Sequence, residues 1–264
     1  MSVFDSLVRA TLPFTPRPLV HFFARRYVAG STLEDAIATV QRLARQGCCA
    51  TVDVLGESVT ERAHAAGAVA AYHQVLEAIT AHSLPAHVSL KPTQMGLNID
   101  HPFCRDNIAS VMERAHARGI FVRIDMEDSP TTDATLRVYH ELIEHYPQGT
   151  GVVLQARLRR TFADAAALAR SGANVRLCKG IYLEPRQVAY EERDIIRNAF
   201  VHALQILLDG GAFVAIATHD EWLICEALAL IHHLGLDKDR YEFQMLLGVD
   251  TEQHLKLVAV LGEP

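Results

Sequence analysis

Seven short apolar runs recur along the chain, about 30–35 residues apart, and most finish on a polar or charged residue. They end near Asp53, Lys91, Asp125, Gln155, Lys179, His219 and Gln244. Stretches with helical periodicity separate them. Such alternation predicts βα units joined by short loops around a parallel sheet. The runs predict strands at Cys48–Leu55, His87–Leu90, Ile120–Ile124, Gly151–Leu154, Val175–Cys178, Phe213–Ala217 and Tyr241–Leu247. The first of them, Cys48–Leu55, is near-continuously apolar, which predicts a strand buried on both faces. Helices are expected over 58–82, 104–118, 129–145, 162–170, 187–209 and 220–234. An earlier helix is expected from Ser31 to Arg45, because Ser31 and Glu34 stand at capping-box spacing. The fold class this implies is α/β, a (β/α)8-type barrel with an N-terminal helical extension. Seven strands are clear where closure needs eight, so the expectation is a barrel incomplete at its C-terminal end. No linker, charge block or low-complexity stretch interrupts the series. One domain over 1–264 is therefore expected, with the helical segment at 1–46 and the barrel at 47–264.

Right-handed parallel crossovers put the C-terminal ends of all strands on one face. Lys91, Asp125, Gln155, Lys179 and His219 are then expected in one pocket, despite their distance along the chain. Asp125 closes the third run and leads into Glu127 and Asp128, just ahead of Pro130. A carboxylate before a helix start is a capping group, which accounts for Asp128 but not for Asp125. Lys91 directly follows Val88-Ser89-Leu90. Three roles stand open for it: a lysine extending out of a strand end, a Schiff-base nucleophile, and the cationic partner of Asp125. Arg176 lies within the fifth run, where an unpaired guanidinium is costly to bury. Lys179, Gly180, Ile181 and Tyr182 follow it, and Gly180 lets backbone approach a ligand closely. Thr218-His219-Asp220 ends the sixth run. His219 with Asp125 and Glu127 is a weak metal candidate, since neither HxH nor HExxH occurs.

Composition narrows the classes. The chain has 264 residues, half of them apolar, and a net charge of −6, which argues against nucleic acid as a partner. Five cysteines with no CxxC pair read as reduced thiols. No run approaches the ~20 apolar residues of a membrane span. The expectation is a cytoplasmic protein, with peripheral association at the inner membrane left open. GxGxxG, the P-loop pattern and GxSxG are all missing, which argues against a Rossmann dinucleotide site, a P-loop site and a hydrolase elbow.

At these residues the sequence resembles the proline dehydrogenase family, of the monofunctional bacterial type. The resemblance rests on six motifs in order, each on a strand end. They are Ser89-Leu90-Lys91-Pro92-Thr93-Gln94, Arg123-Ile124-Asp125-Met126-Glu127-Asp128, Val153-Leu154-Gln155, Arg176-Leu177-Cys178-Lys179-Gly180-Ile181-Tyr182, Ala217-Thr218-His219-Asp220 and Tyr241-Glu242-Phe243-Gln244. It begins near Arg25-Arg26-Tyr27-Val28-Ala29-Gly30 and runs to about Val249.

The resemblance implies an FAD-containing barrel that oxidises L-proline to 1-pyrroline-5-carboxylate and passes electrons to a quinone. It places Arg176 near flavin N5, with Gln155, Lys179, Gly180, Ile181, Thr218, His219 and the Met126 backbone lining the FAD. It makes Asp125 and Lys91 a polar pair beside the substrate, Lys91 near its carboxylate, and sets Tyr182 and Leu246 against the proline ring. Reduced flavin gains negative charge, which Arg176 and Lys179 would stabilise. The chain departs from the family pattern at Ile181, usually Ala, and at Arg157, often aromatic. The family's last unit, a strand and a helix with two adjacent arginines that clamp the substrate carboxylate, has no counterpart. Leu255–Leu261 is the only candidate for that strand, and no Arg follows Arg240. Two rival readings therefore accompany the enzyme: a non-catalytic flavin-binding remnant, and a Schiff-base lyase using Lys91.

Overall fold

A computed structural model describes residues 28–249. The candidate strand Leu255–Leu261 and the Arg25-Arg26 start of the resemblance lie outside the described residues.

Seven strands form one parallel sheet in chain order: β1 Ala50–Asp53, β2 Ala86–Leu90, β3 Val122–Ile124, β4 Thr150–Gln155, β5 Asn174–Cys178, β6 Phe213–Ala217 and β7 Tyr241–Gln244. Helix α1 (Leu33–Ala44) precedes β1. Helices α2 (Arg62–Ala81), α3 (His101–His116), α4 (Thr132–Ile143), α5 (Thr161–Arg170), α6 (Arg193–Asp209) and α7 (Glu221–Leu234) each connect one strand to the next. The barrel-type βα architecture expected from the apolar runs is present, with β1 and β7 at the two ends of the strand order among the described residues.

Several boundaries differ, for local reasons. Helix α1 is capped one residue later than expected: Thr32 Oγ1 accepts from the Asp35 N–H, and Asp35 Oδ2 accepts from the Thr32 N–H. Both pairs have the same spacing, and Asp35 reaches back to the backbone with a shorter side chain than Glu34. Helix α3 starts early, at His101, because Asp100 caps it by accepting from the Phe103 N–H and Pro102 suits the first turn. The first strand is only four residues long and part-exposed, as befits an edge.

The first strand, expected to be buried on both faces, is instead part-exposed, and the two faces of the sheet differ in character. Parallel pairing aligns Asp53 with Ser89, Ser89 with Arg123, Arg123 with Gly151, Val153 with Arg176, Arg176 with Ala215, and Ala215 with Glu242. Partners in register share a face, and every second residue joins them. The inner face thus carries Asp53, Ser89, Arg123, Gln155, Asn174, Arg176, Glu242 and Gln244. The opposite parity carries Val88, Leu90, Val122, Ile124, Val152, Leu154, Val175, Leu177, Val214 and Ile216, all buried under the helices. The sheet is curled, because Arg176 on β5 reaches the side chain of Ser89 on β2.

Arg123 shows what the inner face demands. It is 2% exposed. Its Nη1 donates to the carbonyls of Val152 and Asn174, and its guanidinium lies 4.8 Å from the Phe121 ring centre. Burial, followed by repulsion from Arg176, pulls its pKa down to about 9. Gly151 makes room for it: a Cβ there would come within 2.5 Å of Arg123 Nη1 and 2.8 Å of the Asn174 carbonyl. A Gly151→Val variant is expected to lose about 1–3 kcal/mol through overpacking, read as a lower denaturation midpoint in urea. An unchanged midpoint would show that the inner face is loosely packed.

Candidate active site

The inner parity ends in charge at the C-terminal edge of the sheet. Asp125 begins the β3–α4 connection, and its Oδ1 accepts from Ser89 Oγ at 2.6 Å and from Arg176 Nη1 at 2.9 Å. Arg176 Nε donates to Gln244 Oε1 at 2.5 Å, and Gln244 Nε2 donates to Glu242 Oε1 at 2.6 Å. Lys91 Nζ donates to Asp53 Oδ2 at 2.5 Å and lies 3.8 Å from Asp125 Oδ2. One polar network therefore runs from β1 to β7 across the mouth. Lys91 and Asp125 are brought together, yet the nearer partner of each is another residue: Asp53 for Lys91, Arg176 and Ser89 for Asp125.

Both members of the Asp53–Lys91 pair are perturbed. Burial pushes the Asp53 carboxyl upward although Lys91 opposes it. Burial alone would weaken the Lys91 charge, but the adjacent Asp53 outweighs it, so the lysine pKa goes up. Lys91 is thus held as an ammonium.

A second group of residues lies at the ends of β3, β4 and β5. Glu127 is buried and accepts from the N–H and the hydroxyl of Thr93 at 2.9 and 2.5 Å. Burial raises its pKa despite those bonds. Gln155, 2% exposed, donates from Nε2 to the Glu127 carbonyl at 2.6 Å. Its amide is therefore fixed, with Oε1 turned toward the backbone at Gly180. Gly180 has φ +97°, and a Cβ there would lie 2.7 Å from that oxygen. Ile181 is 85% exposed and Leu246 68%, both at the mouth. Tyr182 spans outward to Glu57, its hydroxyl 3.3 Å from Oε2, while Arg157 Nη1 holds the Tyr182 carbonyl at 2.6 Å. Met126 is buried.

A third group lies at the ends of β5 and β6. Asp220, almost fully buried, accepts two bonds from Arg197, at 2.9 and 2.7 Å, and one from Lys179 at 3.1 Å. Arg193 is 3.9 Å away. Arg197 first and Lys179 next hold the Asp220 carboxyl far below the usual carboxylate range. Thr218 Oγ1 accepts from the Asp220 N–H. His219 Nε2 accepts from the Leu246 N–H at 2.8 Å, which ties the β6 end to the β7 end. Among the described residues no three His, Cys, Asp or Glu side chains converge as metal ligands.

The structure thus gathers Lys91, Asp125 and Arg176 in one network. Gln155 and Gly180 form a second unit, and Lys179 joins Asp220. Sequence reasoning does not assign Asp53, Ser89, Tyr72 or Gln244 to the site. Ser89 had a visible signal, a hydroxyl between Val88 and Leu90 in an apolar strand. Tyr72 had none, being one apolar-face residue on a helix.

Comparison with known proteins gives the family and the fold. The family described as proline dehydrogenase matches residues 36–263. "Proline dehydrogenase 1" of Bacillus subtilis is 33% identical over 234 residues, covering 89% of this chain and 77% of that protein. "Proline dehydrogenase" of Deinococcus radiodurans is 32% identical over 268 residues, covering 97% and 86%. Among solved structures, proline utilization A from Bdellovibrio bacteriovorus, inactivated by N-propargylglycine, superposes with a TM-score of 0.83 at 22% identity. That alignment covers 92% of this chain but only 30% of the much longer relative, and it supports the fold alone. With the family match spanning nearly the whole described sheet, and relatives above 30% identity along most of its length, this chain belongs to the proline dehydrogenase family.

Proposed function

We propose that the protein oxidises L-proline to 1-pyrroline-5-carboxylate in proline catabolism, using FAD and delivering electrons to a quinone. The observation that carries this reading is the Asp53–Lys91–Asp125–Arg176 network at the C-terminal mouth of a proline dehydrogenase fold.

The residues present fit a flavin. Gly180 leaves the backbone bare where a side chain would strike Gln155. Gln155 presents a fixed amide oxygen able to accept from a ring N–H. Arg176 and Lys179 supply positive charge, and Ile181 and Leu246 offer exposed apolar surface. Thr218, His219 and the Met126 backbone complete the proposed lining. Bound there, FAD would supply the two-electron acceptor, taking hydride from the carbon beside the proline nitrogen.

The chain's own residues bind, orient and balance charge. Lys91, protonated and anchored by Asp53, meets the substrate carboxylate. Asp125 fixes the Arg176 guanidinium, which faces the developing negative charge. Tyr182 and Leu246 border the proline ring. Proline reacts as the free amine, and solvent takes the proton that the nitrogen loses. No helix among the described residues is long and apolar enough to cross a membrane. A cytoplasmic site with peripheral contact at the inner membrane suits a quinone acceptor.

Three outcomes test this reading. The purified chain reconstituted with FAD is expected to show flavin absorption that bleaches anaerobically on adding proline. Retained flavin without bleaching would instead favour the non-catalytic flavin-binding remnant. A Gly180→Val variant is expected to lose most bound FAD, measured as the flavin-to-protein absorbance ratio, while keeping its far-UV spectrum; unaltered loading would remove Gly180 from the cradle. Lys91→Met is expected to raise the proline KM about thirty-fold or more, as loss of a partly buried charge contact costs about 2–5 kcal/mol. A KM unchanged by this substitution would place the carboxylate elsewhere.

A further inference from the structure

Backbone geometry between β1 and β2 contains an interruption that the parallel register makes visible. Ala50 is in register with Ala86, and its N–H donates to the Pro85 carbonyl. Parallel ladder bonds recur at every second residue of a strand. Continuing that series through Val52, the Val54 N–H falls due to bond the Ser89 carbonyl. The Tyr72 hydroxyl stands between them instead: the Val54 N–H donates to it at 3.2 Å, and it lies 2.6 Å from the Ser89 carbonyl oxygen. Tyr72 comes from α2 and is 0% exposed, so its ring is clamped between helix and sheet. The same hydroxyl oxygen is 2.9 Å from Asp53 Oδ1, and Asp53 Oδ2 holds Lys91.

We propose that Tyr72 is a positioning residue for substrate binding: its hydroxyl, wedged between β1 and β2, holds the strand ends apart and fixes the Asp53 carboxylate that carries the Lys91 ammonium. The inference rests on the proposed role of Lys91 toward the substrate carboxylate. The wedge has two consequences. It turns Asp53, the last residue of β1, toward the mouth instead of letting the ladder zip past it. It also gives Asp53 a second buried partner, so that the carboxylate keeps one orientation when Lys91 moves toward a ligand.

Tyr72→Phe tests this directly. The ring, and with it the packing of α2, is kept, while the Val54 N–H becomes free to bond Ser89 itself. In the FAD-loaded full chain the proline KM is expected to rise about tenfold, with kcat within about twofold and FAD affinity unchanged, the pattern of lost substrate binding alone. A merely structural role would lower flavin retention and kcat together. A second measurement does not depend on proline chemistry. The chain holds only four lysines, Lys91, Lys179, Lys238 and Lys256. Reductive methylation with a carbon-13 label, assigned with Lys91→Arg, therefore lets the Lys91 titration be followed by NMR. Asp53, Asp125 and Glu127 are the carboxylates that act on Lys91. Tyr72→Phe and Asp53→Asn are each expected to lower its titration midpoint, and the double variant is expected to match Asp53→Asn, because Tyr72 acts through Asp53. A Lys91 titration unmoved by Tyr72→Phe, or an additive double variant, would overturn the proposal. If the unaltered protein fails to oxidise proline, the proposed function falls, and the NMR titration still decides whether Tyr72 sets Lys91.

Discussion

Register in the parallel ladder is the constraint on which the site depends. Asp53, Ser89, Arg176 and Gln244 come from four strands and meet only because each lies on the same parity of its strand. A slip of one residue would send any of them under the helices and bring an aliphatic side chain into the mouth. The register is held from the other face. Val88, Val122, Val175 and Val214 are each essentially inaccessible beneath the helices, and exposing any one costs about 1.5–3 kcal/mol. The apolar layer therefore places the polar one.

Such a polar interior is stable only if its charges find partners. Lys91 and Arg176 face Asp53 and Asp125, so formal charge balances where the small zwitterionic substrate is proposed to sit. At the ends of β5 and β6 the balance is different. Buried Asp220 is held by Lys179 and Arg197, with Arg193 3.9 Å away, and Arg197 is shared with the exposed Asp194 at the start of α6. One buried carboxylate thus gathers several cations from β5, α6 and their connections, which fixes the end of β6 against α6.

What the sequence revealed follows this division of labour. The existence and order of all seven strands are legible, because the helix-facing parity supplies apolar residues at every second position, aliphatic in most strands and Tyr241 and Phe243 in β7. The polar residue closing each run pointed to the functional edge for the same reason. The polar character of the inner face is less legible. Arg123 and Arg176 sit inside runs that look apolar overall, and only pairing shows that Gly151 and Ala215 stand beside them to make space. The partner of Lys91 was also beyond reach: Asp53 is 38 positions away, on an edge strand that extends only four residues. The α1 cap moved by one residue because two overlapping pairs have identical spacing, and only the folded chain decides between them.

The curled sheet of the described residues also has to hold its curvature, and here structure and chemistry use the same contacts. Between the β1 and β7 edges, the described residues offer no ladder bond, yet a chain of side chains crosses the gap from within. Tyr72 bonds Asp53, Asp53 bonds Lys91, and Lys91 lies beside Asp125, which bonds Arg176 and through it Gln244 and Glu242. Every link but the last, Gln244 to Glu242 within β7, joins different elements, so the curl of the sheet and the geometry of the mouth are set together. Loosening one link would widen the mouth as well as displace a ligand group. For this reason effects on affinity and on stability should be coupled along the network, and they should separate only where a substitution, such as removal of the Tyr72 hydroxyl, leaves the packed ring in place.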